Sequence, residues 1–464
     1  MKQLAIVVIL LIAIGSLAYS QAKPGGFARE LAMGGSNTGS GMSVMNPFII
    51  DDPSMIFLNP AYQATYSNYA WLNVGGGAMS GLSNSSSDPI FDDGYNNQNA
   101  GVAFGLSSEW NLGVILSYDP SFVNSVRSLP SAIVQGRSSQ SIPSVNNVWE
   151  VLASYHLVNF DLGFGVSYGY SNSDAKFDST NGAYSYDYST SARVLGFRAG
   201  INANLGGGSS FDAAAALHLD KADDKVTGVP IATSNSGDYS ASGTEFQAYA
   251  RAKFNMSSKF NLVSYAGVMT VSASPNEDTR PNGVTTTPYT DNVNLLNYAL
   301  GIGGEYRAGS FYFAGGLSFE SYKQKFEETP GTAAPASARV TTTTTYSDNA
   351  IPVVNLGMEW TLTDWLTGRA GYFRWLGSQD YKQEAPAYTY DQSVTYPNSW
   401  VFLGGINDAN WDGLVTLGVG LKFSGFALDA TVSDEALRRG LGLIGAQDNI
   451  NTFGYLTASY YFGE

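Results

Sequence analysis

Hydrophobic and polar residues alternate strictly over several segments of about ten residues each. In residues 160–170, one face is apolar or aromatic at every position, while the other carries Asp161, Ser167 and glycines. A strand that crosses a bilayer at a tilt needs about this length and alternates in this way, although a soluble β-sandwich also alternates. The pattern recurs over residues 195–205, 211–220, 244–254, 296–306, 311–319, 415–423 and 456–462.

The connections between these segments distinguish a membrane barrel from a sandwich, because short and long ones alternate. An outer-membrane barrel has short turns on its periplasmic rim and longer loops outside. We count about sixteen candidate strands from Tyr66 onward, and single-chain bacterial barrels have an even number. The predicted short turns are residues 107–109, 206–209, 255–259, 308–310 and 361–364, and the predicted long loops are residues 119–146, 171–190, 221–242, 272–293, 323–349 and 377–410.

Aromatic and small residues agree with this prediction. Trp110, Trp360 and Trp365 fall beside predicted short turns, and Trp149 and Trp411 lie near opposite strand ends, where interfacial aromatic belts are found. Glycines recur on the predicted inward face, where small side chains let a sheet curve and leave space in the lumen. Closure of the sheet would remove the strand edges that lipid cannot hydrate.

Composition excludes several functional classes. Charged residues are 14% of the chain and aromatic residues 13%, with 52 glycines, which fits neither a helical globular enzyme nor a disordered chain. The absence of cysteine excludes thiol catalysis and cysteine-ligated metal sites. The net charge of −15 argues against a nucleic-acid partner, because phosphate binding needs clustered cations.

The N-terminus predicts export from the cytoplasm. Lys2 precedes an apolar run over residues 4–17, which is too short to span a membrane as a helix, and small residues before Gln21 and Lys23 suit cleavage. We therefore interpret residues 1–22 as a signal peptide, residues 23–65 as a separate N-terminal segment and residues 66–464 as the barrel. The predicted location is the bacterial outer membrane.

The segment at residues 23–65 is rich in glycine and contains Ile49, Ile50 and Ile56. Irregular backbone cannot face lipid, so this segment must lie either in the periplasm or inside the barrel. Its apolar residues favour burial, and we therefore predict a plug.

Both ends of the barrel region resemble a known family. Gly34-Gly35, Asp52-Pro53-Ser54 and Asn59-Pro60-Ala61 resemble the start of the FadL-type outer-membrane transporters of long-chain fatty acids and aromatic hydrocarbons. The PorV-like barrels of the type IX secretion system begin similarly. The closing region is also similar to that family, over residues 418–432, 440–442 and 455–462.

The resemblance implies that Asp52, Pro53, Asn59, Pro60 and Ala61 belong to a hatch that closes the lumen. Hydrophobic solutes would enter from the external loops, cross an apolar pocket and leave sideways through a gap in the wall. An apolar slot favours such solutes by ~0.8 kcal/mol per buried CH₂ group.

Two features depart from that family. Its members usually close with fourteen strands. If this barrel also has fourteen, residues 101–106 and 110–118 belong to loops or to the plug and not to the wall. Here, Phe462 is also followed by Gly463 and Glu464 instead of ending the chain.

Two motifs raise the question of other chemistry. Residues 165–169 fit the G-x-S-x-G elbow of serine hydrolases, but Ser167 is predicted in mid-strand with no helix after it, and only His156 and His218 are available as bases. We therefore do not expect an enzyme.

Asp408, Asn410 and Asp412 match the first half of a calcium loop, whereas the twelfth position is Val419. Turn preference alone also explains such residues, and no other cofactor is expected.

The alternation also predicts charged residues that face the lumen. They have both signs, so they need not select ions, and this mixture favours structural pairing inside the barrel over contact with a substrate. The main candidates are Arg198, His218, Glu245, Arg251 and Glu305, with Asp161, Asp212, Asp220 and Lys253 nearby.

The sequence therefore predicts an all-β protein, a monomeric transmembrane antiparallel β-barrel of fourteen to sixteen strands with an N-terminal plug. Its expected function is passive uptake of hydrophobic small molecules, and its expected partners are outer-membrane lipid and the hydrophobic ligand. One alternative is a PorV-like barrel that docks a secretion-system partner without transport. Another is a general porin.

Overall fold

A computed structural model describes residues 25–35, 45–75, 99–117, 148–178, 185–229, 235–281, 289–330, 340–386, 388–396, 414–432 and 453–462. The predicted signal peptide, the predicted long loop at residues 119–146, Trp411, the predicted calcium loop and residues 440–442 lie outside these residues. None of the helical segments in the described part of the chain has the length and hydrophobicity of a transmembrane helix.

Three short helical segments precede the strands: α1 (Phe27–Ala32), a 3-10 turn (Pro53–Phe57) and α2 (Tyr62–Thr65). The described strands are β1 (Tyr69–Gly75), β2 (Asn99–Gly105), β3 (Trp110–Ser117), β4 (Val148–His156), β5 (Phe160–Asp178), β6 (Ser185–Gly206), β7 (Ser209–Val229), β8 (Asn235–Asn255), β9 (Phe260–Pro281), β10 (Tyr289–Ala308), β11 (Phe311–Pro330), β12 (Thr342–Thr363), β13 (Leu366–Ala385), β14 (Tyr388–Tyr396), β15 (Leu414–Phe423), β16 (Phe426–Val432) and β17 (Phe453–Tyr461).

Sixteen of these strands form one closed antiparallel barrel. Strands β1 to β13 pair in sequence order, β13 pairs with β15, and β17 closes the ring on β1 with Trp71 opposite Ser459. The remaining strand, β14, pairs with residues 377–385 of β13, beyond the part of β13 that pairs with β15. The predicted antiparallel barrel is thereby confirmed, with sixteen strands, the upper end of the predicted range of fourteen to sixteen. Strands β2 and β3 belong to the wall and are neither loop nor plug.

Strands β5 to β13 are much longer than predicted. Each has 19 to 22 residues, whereas the described strands β1 to β4 and β15 to β17 have 7 to 10. At a rise of ~3.3 Å per residue and a tilt of about 45°, a strand of about 20 residues exceeds the ~30 Å hydrocarbon core. The longer strands therefore form a tall wall that extends beyond the membrane.

The prediction that residues 171–190, 221–242, 272–293, 323–349 and 377–410 are long loops was therefore largely wrong. Much of each range is paired strand, as for Ser171 opposite Ala192 and Lys221 opposite Arg193. Beyond the bilayer both faces of a strand can be polar, so the sequence there loses the alternation by which we recognised strands.

The exterior of the barrel carries a belt of exposed apolar side chains. On β10, Leu296, Tyr298, Leu300, Ile302 and Tyr306 are exposed, while the alternating residues face inward. Other members of the belt are Leu116, Phe164, Phe197, Leu217, Phe246, Phe313, Leu317, Met358 and Leu417. Exposed apolar surface on this scale exceeds the patches of a soluble monomer and suits a lipid environment. The chain is therefore a multi-pass β-barrel of the outer-membrane type.

The short turns lie together on one rim. Trp110, Trp360 and Trp365 are exposed beside these turns, as expected for an interfacial belt. The turn between β6 and β7 uses Gly206, Gly207 and Gly208, all with positive φ. The barrel also begins and ends on this rim, since the Phe462 amide donates to the Asn68 carbonyl oxygen over 2.8 Å. By the rule for such barrels, this rim faces the periplasm.

The belt predicts the effect of a charge on the lipid face. We expect Leu300→Arg to lower the free energy of unfolding by about 2–4 kcal/mol, because Leu300 lies within the exposed belt. Urea unfolding in lipid vesicles measures this change. Asn294→Arg is the control, since Asn294 is exposed on the same face of β10 beyond the belt. Equal effects of the two substitutions would contradict the assignment of the belt.

Candidate lumenal site

Residues 25–35 and 45–66 form an inner segment that is enclosed by the barrel wall. Apart from Asp51, Leu58, Ala64 and Thr65, all of its residues are buried. Its side chains and backbone contact inward-facing residues of strands around the ring, including β6, β8, β12 and β16. On the long strands β5 to β13, the contacting wall residues lie in the half of each strand nearest the short turns. The inner segment therefore occupies the periplasmic half of the lumen.

A chain of buried opposite charges ties α1 to the wall. The Arg29 guanidinium donates to Asp52 over 2.8 Å and to Glu359 of β12 over 2.9 Å. Glu359 also accepts from Arg369 of β13 over 2.7 Å, and Arg369 donates to Asp429 of β16 over 2.5 Å. The side chains of Arg369 and Asp429 are fully shielded from solvent. Each charge thus has a partner that offsets its loss of hydration.

The backbone of the inner segment is also bonded to the wall. The Gly25 amide donates to Asp429 over 3.1 Å, and the Ala28 amide donates to the Thr457 hydroxyl over 3.1 Å. Asn355 donates to the Gly34 carbonyl oxygen over 2.8 Å. Thr416 donates to the carbonyl oxygen of Ala32 over 3.1 Å. These bonds satisfy backbone groups that a short helix leaves unpaired at its ends.

Asp52 and Pro53 begin the 3-10 turn. Asp52 is the N-cap, its Oδ1 accepting from the Ser54 amide over 2.8 Å, and Pro53 occupies an early position that needs no amide donor. Asp52 Oδ1 also accepts from the Gly26 amide over 2.8 Å. Asp52 therefore joins the two parts of the inner segment, in addition to pairing with Arg29.

Asn59, Pro60 and Ala61 anchor the end of the inner segment against β5, β6 and β7. Asn59 Nδ2 donates to the Ile201 carbonyl oxygen over 2.9 Å, and Asn59 Oδ1 accepts from the Ala61 amide over 3.0 Å. A side chain at Gly163 on β5 would collide with the backbone of Pro60 and Ala61. The Asn-Pro-Ala element therefore sits directly on the wall.

Burial also changes the ionisation of the inner segment. It raises the pKa of Glu30 well above its ordinary value, an effect increased by the nearby Asp52 carboxylate. Glu30 Oε2 accepts from the Asn46 amide over 2.9 Å, so the side chain links the two described stretches of the inner segment.

The predicted lumenal residues Arg251 and Glu305 both lie in the periplasmic half. Arg251 is fully buried, pairs with Asp212 over 3.1 Å and donates to the Ile49 carbonyl oxygen over 3.0 Å. Glu305 accepts from the Tyr312 hydroxyl over 2.6 Å and from the Ile50 amide over 3.4 Å. Both residues thus hold residues 49–50 of the inner segment.

Arg198 lies higher on the wall. Its Nε donates to Glu150 Oε1 over 2.6 Å, its Nη2 donates to Glu150 Oε2, and its Nη1 donates to the Phe57 carbonyl oxygen. Arg198 therefore marks the upper edge of the inner segment.

The remaining predicted residues, His218 and Glu245, lie beyond the inner segment. Ser167, Gly196, His218 and Glu245 occupy directly opposed positions on β5, β6, β7 and β8, and we call these four residues the polar row. His218 Nδ1 lies 3.7 Å from Glu245 Oε1. Because Gly196 has no side chain, Ser167 Oγ and His218 Nε2 lie within 3.1 Å of the same point beside it.

Apolar side chains flank the polar row on the inner wall. One cluster combines Val148, Ala192, Val194, Ala222, Ala241, Ala273 and Val293 from strands β4 and β6 to β10. A second cluster combines Met269, Val271 and Leu295 of β9 and β10 with Tyr322 of β11. The row continues directly into this second cluster, because Val271 pairs with both Glu245 and Leu295. The upper wall thus presents a few polar groups among apolar ones.

The polar row does not have the architecture of a serine-hydrolase elbow. Ser167 lies in the middle of β5 and pairs with Glu150 on one side and Gly196 on the other. The elbow requires a sharp turn from strand to helix. In the ranges that the structure describes, no group of three or more His, Asp or Glu side chains is placed to hold a metal ion.

Several site residues were missed by the sequence analysis. Arg29, Glu359, Arg369 and Asp429 form the charge chain, but we did not select any of them. A signal was present in Arg29, which together with Glu30 interrupts an otherwise apolar and small-residue stretch of the predicted plug. The inward glycines were also interpreted only as open space and curvature, whereas Gly163, Gly357, Gly371 and Gly418 make room for the inner segment.

Comparison with known proteins gives matches among solved structures alone. No family model matches the chain, and no curated protein does. The Pseudomonas putida toluene transporter TodX is 11% identical, with a TM-score of 0.38, and the match covers 96% of this chain and 100% of that one. A Pseudomonas aeruginosa FadL homologue is 13% identical, with a TM-score of 0.38 and the same coverage.

A third similar structure is the ferric yersiniabactin uptake receptor FyuA of Yersinia pestis. It is 9% identical, with a TM-score of 0.39, and the match covers 85% of this chain and 80% of that one. At this distance, the substrates of these proteins do not identify the substrate of this chain.

The charge chain predicts a large effect of Arg369→Met. Glu359 and Asp429 both pair with Arg369, and this substitution removes that shared partner. We therefore expect the free energy of unfolding to fall by about 3–5 kcal/mol. Urea unfolding in lipid vesicles measures the loss. Lys382→Met is the control, because Lys382 pairs with Glu384 on the exposed part of β13. A loss no larger than in this control would show that the charge chain does not stabilise the inner segment.

The close approach at Gly163 predicts that even one methyl group is harmful. We expect Gly163→Ala to cost about 1–3 kcal/mol, because its Cβ would overlap the backbone of Pro60 and Ala61. Gly243→Ala is the matched control, since the nearest atom to its added Cβ is 3.4 Å away. Thermal denaturation in detergent compares the two variants, and identical midpoints would refute the seating of the Asn-Pro-Ala element on β5.

Proposed function

We propose that this protein is an outer-membrane channel for the passive uptake of hydrophobic small molecules, with the inner segment closing its periplasmic half. The observation that carries this proposal is the division of the lumen. The periplasmic half holds a buried, hydrogen-bonded segment, and the inner wall beyond it carries two apolar clusters. A lumen of this kind suits solutes that gain from leaving water.

The energetics favour a hydrophobic solute over a polar one. Each CH₂ group that moves from water to an apolar lining gains ~0.8 kcal/mol, whereas a sugar would lose hydrogen bonds that the alanine and valine side chains cannot replace. Small-molecule sites in proteins commonly combine an apolar lining with a few polar groups. The polar row among the two clusters fits that description.

The same arrangement argues against the two alternatives. A general porin needs a water-filled passage, but the inner segment fills the periplasmic half of this lumen. A barrel that only docks a secretion-system partner has no need for apolar clusters on its inner wall. Both alternatives remain outcomes of the uptake experiment.

The inner segment has to move for solute to pass. Its bonds to the wall are numerous but distributed, and the sixteen neighbouring strand pairs are hydrogen-bonded to one another. We therefore place the moving part in the inner segment and not in the wall. Our expectation of a sideways exit through a wall gap stays a prediction.

Uptake by cells tests the proposal. We expect bacteria that lack their own hydrophobic-solute channels to accumulate labelled naphthalene faster when they carry this chain. Liposomes containing the purified protein should not swell in small sugars. Sugar-driven swelling would favour a porin, and unchanged naphthalene accumulation with correctly inserted protein would favour a docking barrel.

A disulfide lock provides the matched control, because the chain has no cysteine. A Cβ at Gly357 would lie 2.5 Å from the Met33 carbonyl oxygen and 2.8 Å from the Met33 Cβ, so the inner segment must shift by about 1 Å for the double variant Met33→Cys/Gly357→Cys to form a disulfide. We expect oxidation to stop naphthalene accumulation and reduction to restore it. Each single-cysteine variant should respond to neither treatment. Full accumulation in the oxidised double variant would contradict movement of the inner segment.

A further inference from the structure

The polar row and its surroundings go further than a general preference for hydrophobic solutes. We propose that the upper lumen binds amphiphiles whose polar end donates hydrogen bonds and is positively charged or neutral, such as alkylamines, and that it discriminates against carboxylates. This inference rests on the proposed uptake function and names the class of solute that the site selects.

The charges on the inner wall beyond the inner segment are predominantly acidic. Asp220, Glu245, Glu320 and Asp348 all lie on inward-facing positions of β7, β8, β11 and β12. On the described strands beyond the inner segment, Arg198 is the only basic residue (lysine or arginine) that faces inward, and its charge is already neutralised by Glu150. A ligand carboxylate would meet like charge here, which disfavours its binding.

The unpaired polar atoms point to the same class of ligand. Glu245 is completely buried, and its Oε2 has no hydrogen-bond partner within the described ranges, although Gln247 donates to its Oε1. In the adjacent row, Asn297 is 2% exposed and its Oδ1 is also unpaired in the described structure. Both atoms only accept hydrogen bonds. An ammonium or hydroxyl group can satisfy them, whereas a carboxylate has no proton to donate.

His218 and Ser167 can bind such a head group from the side of the polar row opposite Glu245. His218 Nδ1 is buried and has no hydrogen-bond partner within the described residues, although Glu245 Oε1 lies 3.7 Å away, and the Ser167 hydroxyl approaches His218 across Gly196. A hydroxyl both donates and accepts, and a neutral imidazole offers one donor and one acceptor. An ammonium group between Ser167 and Glu245 would therefore find several acceptors within one row.

The position of the apolar clusters fixes where the alkyl chain would lie. Val271 and Leu295 follow Glu245 directly along the polar row. In the neighbouring row, Asp220 pairs with Gly243, and Val194 and Ala273 lie on either side of this pair. A straight alkyl chain attached to a head group at Glu245 can thus pack on either cluster. The site therefore has the polar and apolar parts of an amphiphile in adjacent positions.

A matched series of eight-carbon probes tests the inference. Octylamine, octan-1-ol and octanoate are titrated by calorimetry into the purified protein in non-ionic detergent, with detergent alone as the blank. We expect octylamine to bind about tenfold more tightly than octanoate at neutral pH, with octan-1-ol between them. Equal or tighter binding of octanoate would overturn the proposal.

Two variants show whether the polar row is responsible. We expect Glu245→Gln to reduce the preference for octylamine over octanoate to about twofold or less. Asp223→Asn makes the same change of charge on the outer face of β7 and should leave the preference intact. Heat-dependent gel mobility confirms that both variants are folded. An unchanged preference in Glu245→Gln would show that the row does not bind the head group.

The two sets of measurements separate failure of this inference from failure of the proposed function. Normal naphthalene accumulation together with no preference among the three probes would overturn the inference and leave hydrophobic uptake in place. No accumulation and no binding of any probe would overturn both.

Discussion

The structure depends on one constraint, which is that backbone amide and carbonyl groups inside a bilayer must bond to each other. A sheet meets this requirement only when it closes, because an open sheet exposes two edges to lipid. Here, β1 and β17 close the ring, and the side chains then alternate between lipid and lumen. The exposed apolar belt and the buried polar residues of the same strands follow from that alternation.

Closure creates a second problem, since a ring of sixteen strands encloses more space than its own side chains fill. The inner segment occupies the periplasmic part of this space, and wall glycines allow its backbone to approach. Because Arg29 of the inner segment is buried, it is paired with a wall residue of opposite sign, Glu359. The buried wall residue Arg251 is paired in the same way with Asp212 of the neighbouring strand. The tall wall of β5 to β13 extends this architecture beyond the membrane.

The sequence predicted the features that follow from a two-residue period. The barrel, the lipid-facing positions of β10 and the inward positions of Arg251 and Glu305 could all be predicted, because lipid imposes apolar side chains on every second position. The extra length of β5 to β13 could not, since residues such as Ser171 and Lys221 pair where no lipid imposes a pattern. The partners of Arg29 were also not predictable, because its contacts with β12 join residues 330 positions apart in the chain.

The alternation between lipid and lumen is tested most directly by site-directed spin labelling along β10. The chain has no native cysteine, so one cysteine at a time can be introduced from residue 294 to residue 302 and labelled in a protein reconstituted in lipid. We predict that accessibility to oxygen, which dissolves in lipid, is high at Leu296, Tyr298, Leu300 and Ile302 and low at the residues between them. Uniform accessibility to oxygen along β10 would contradict the alternation and, with it, the barrel wall as a boundary between lipid and lumen.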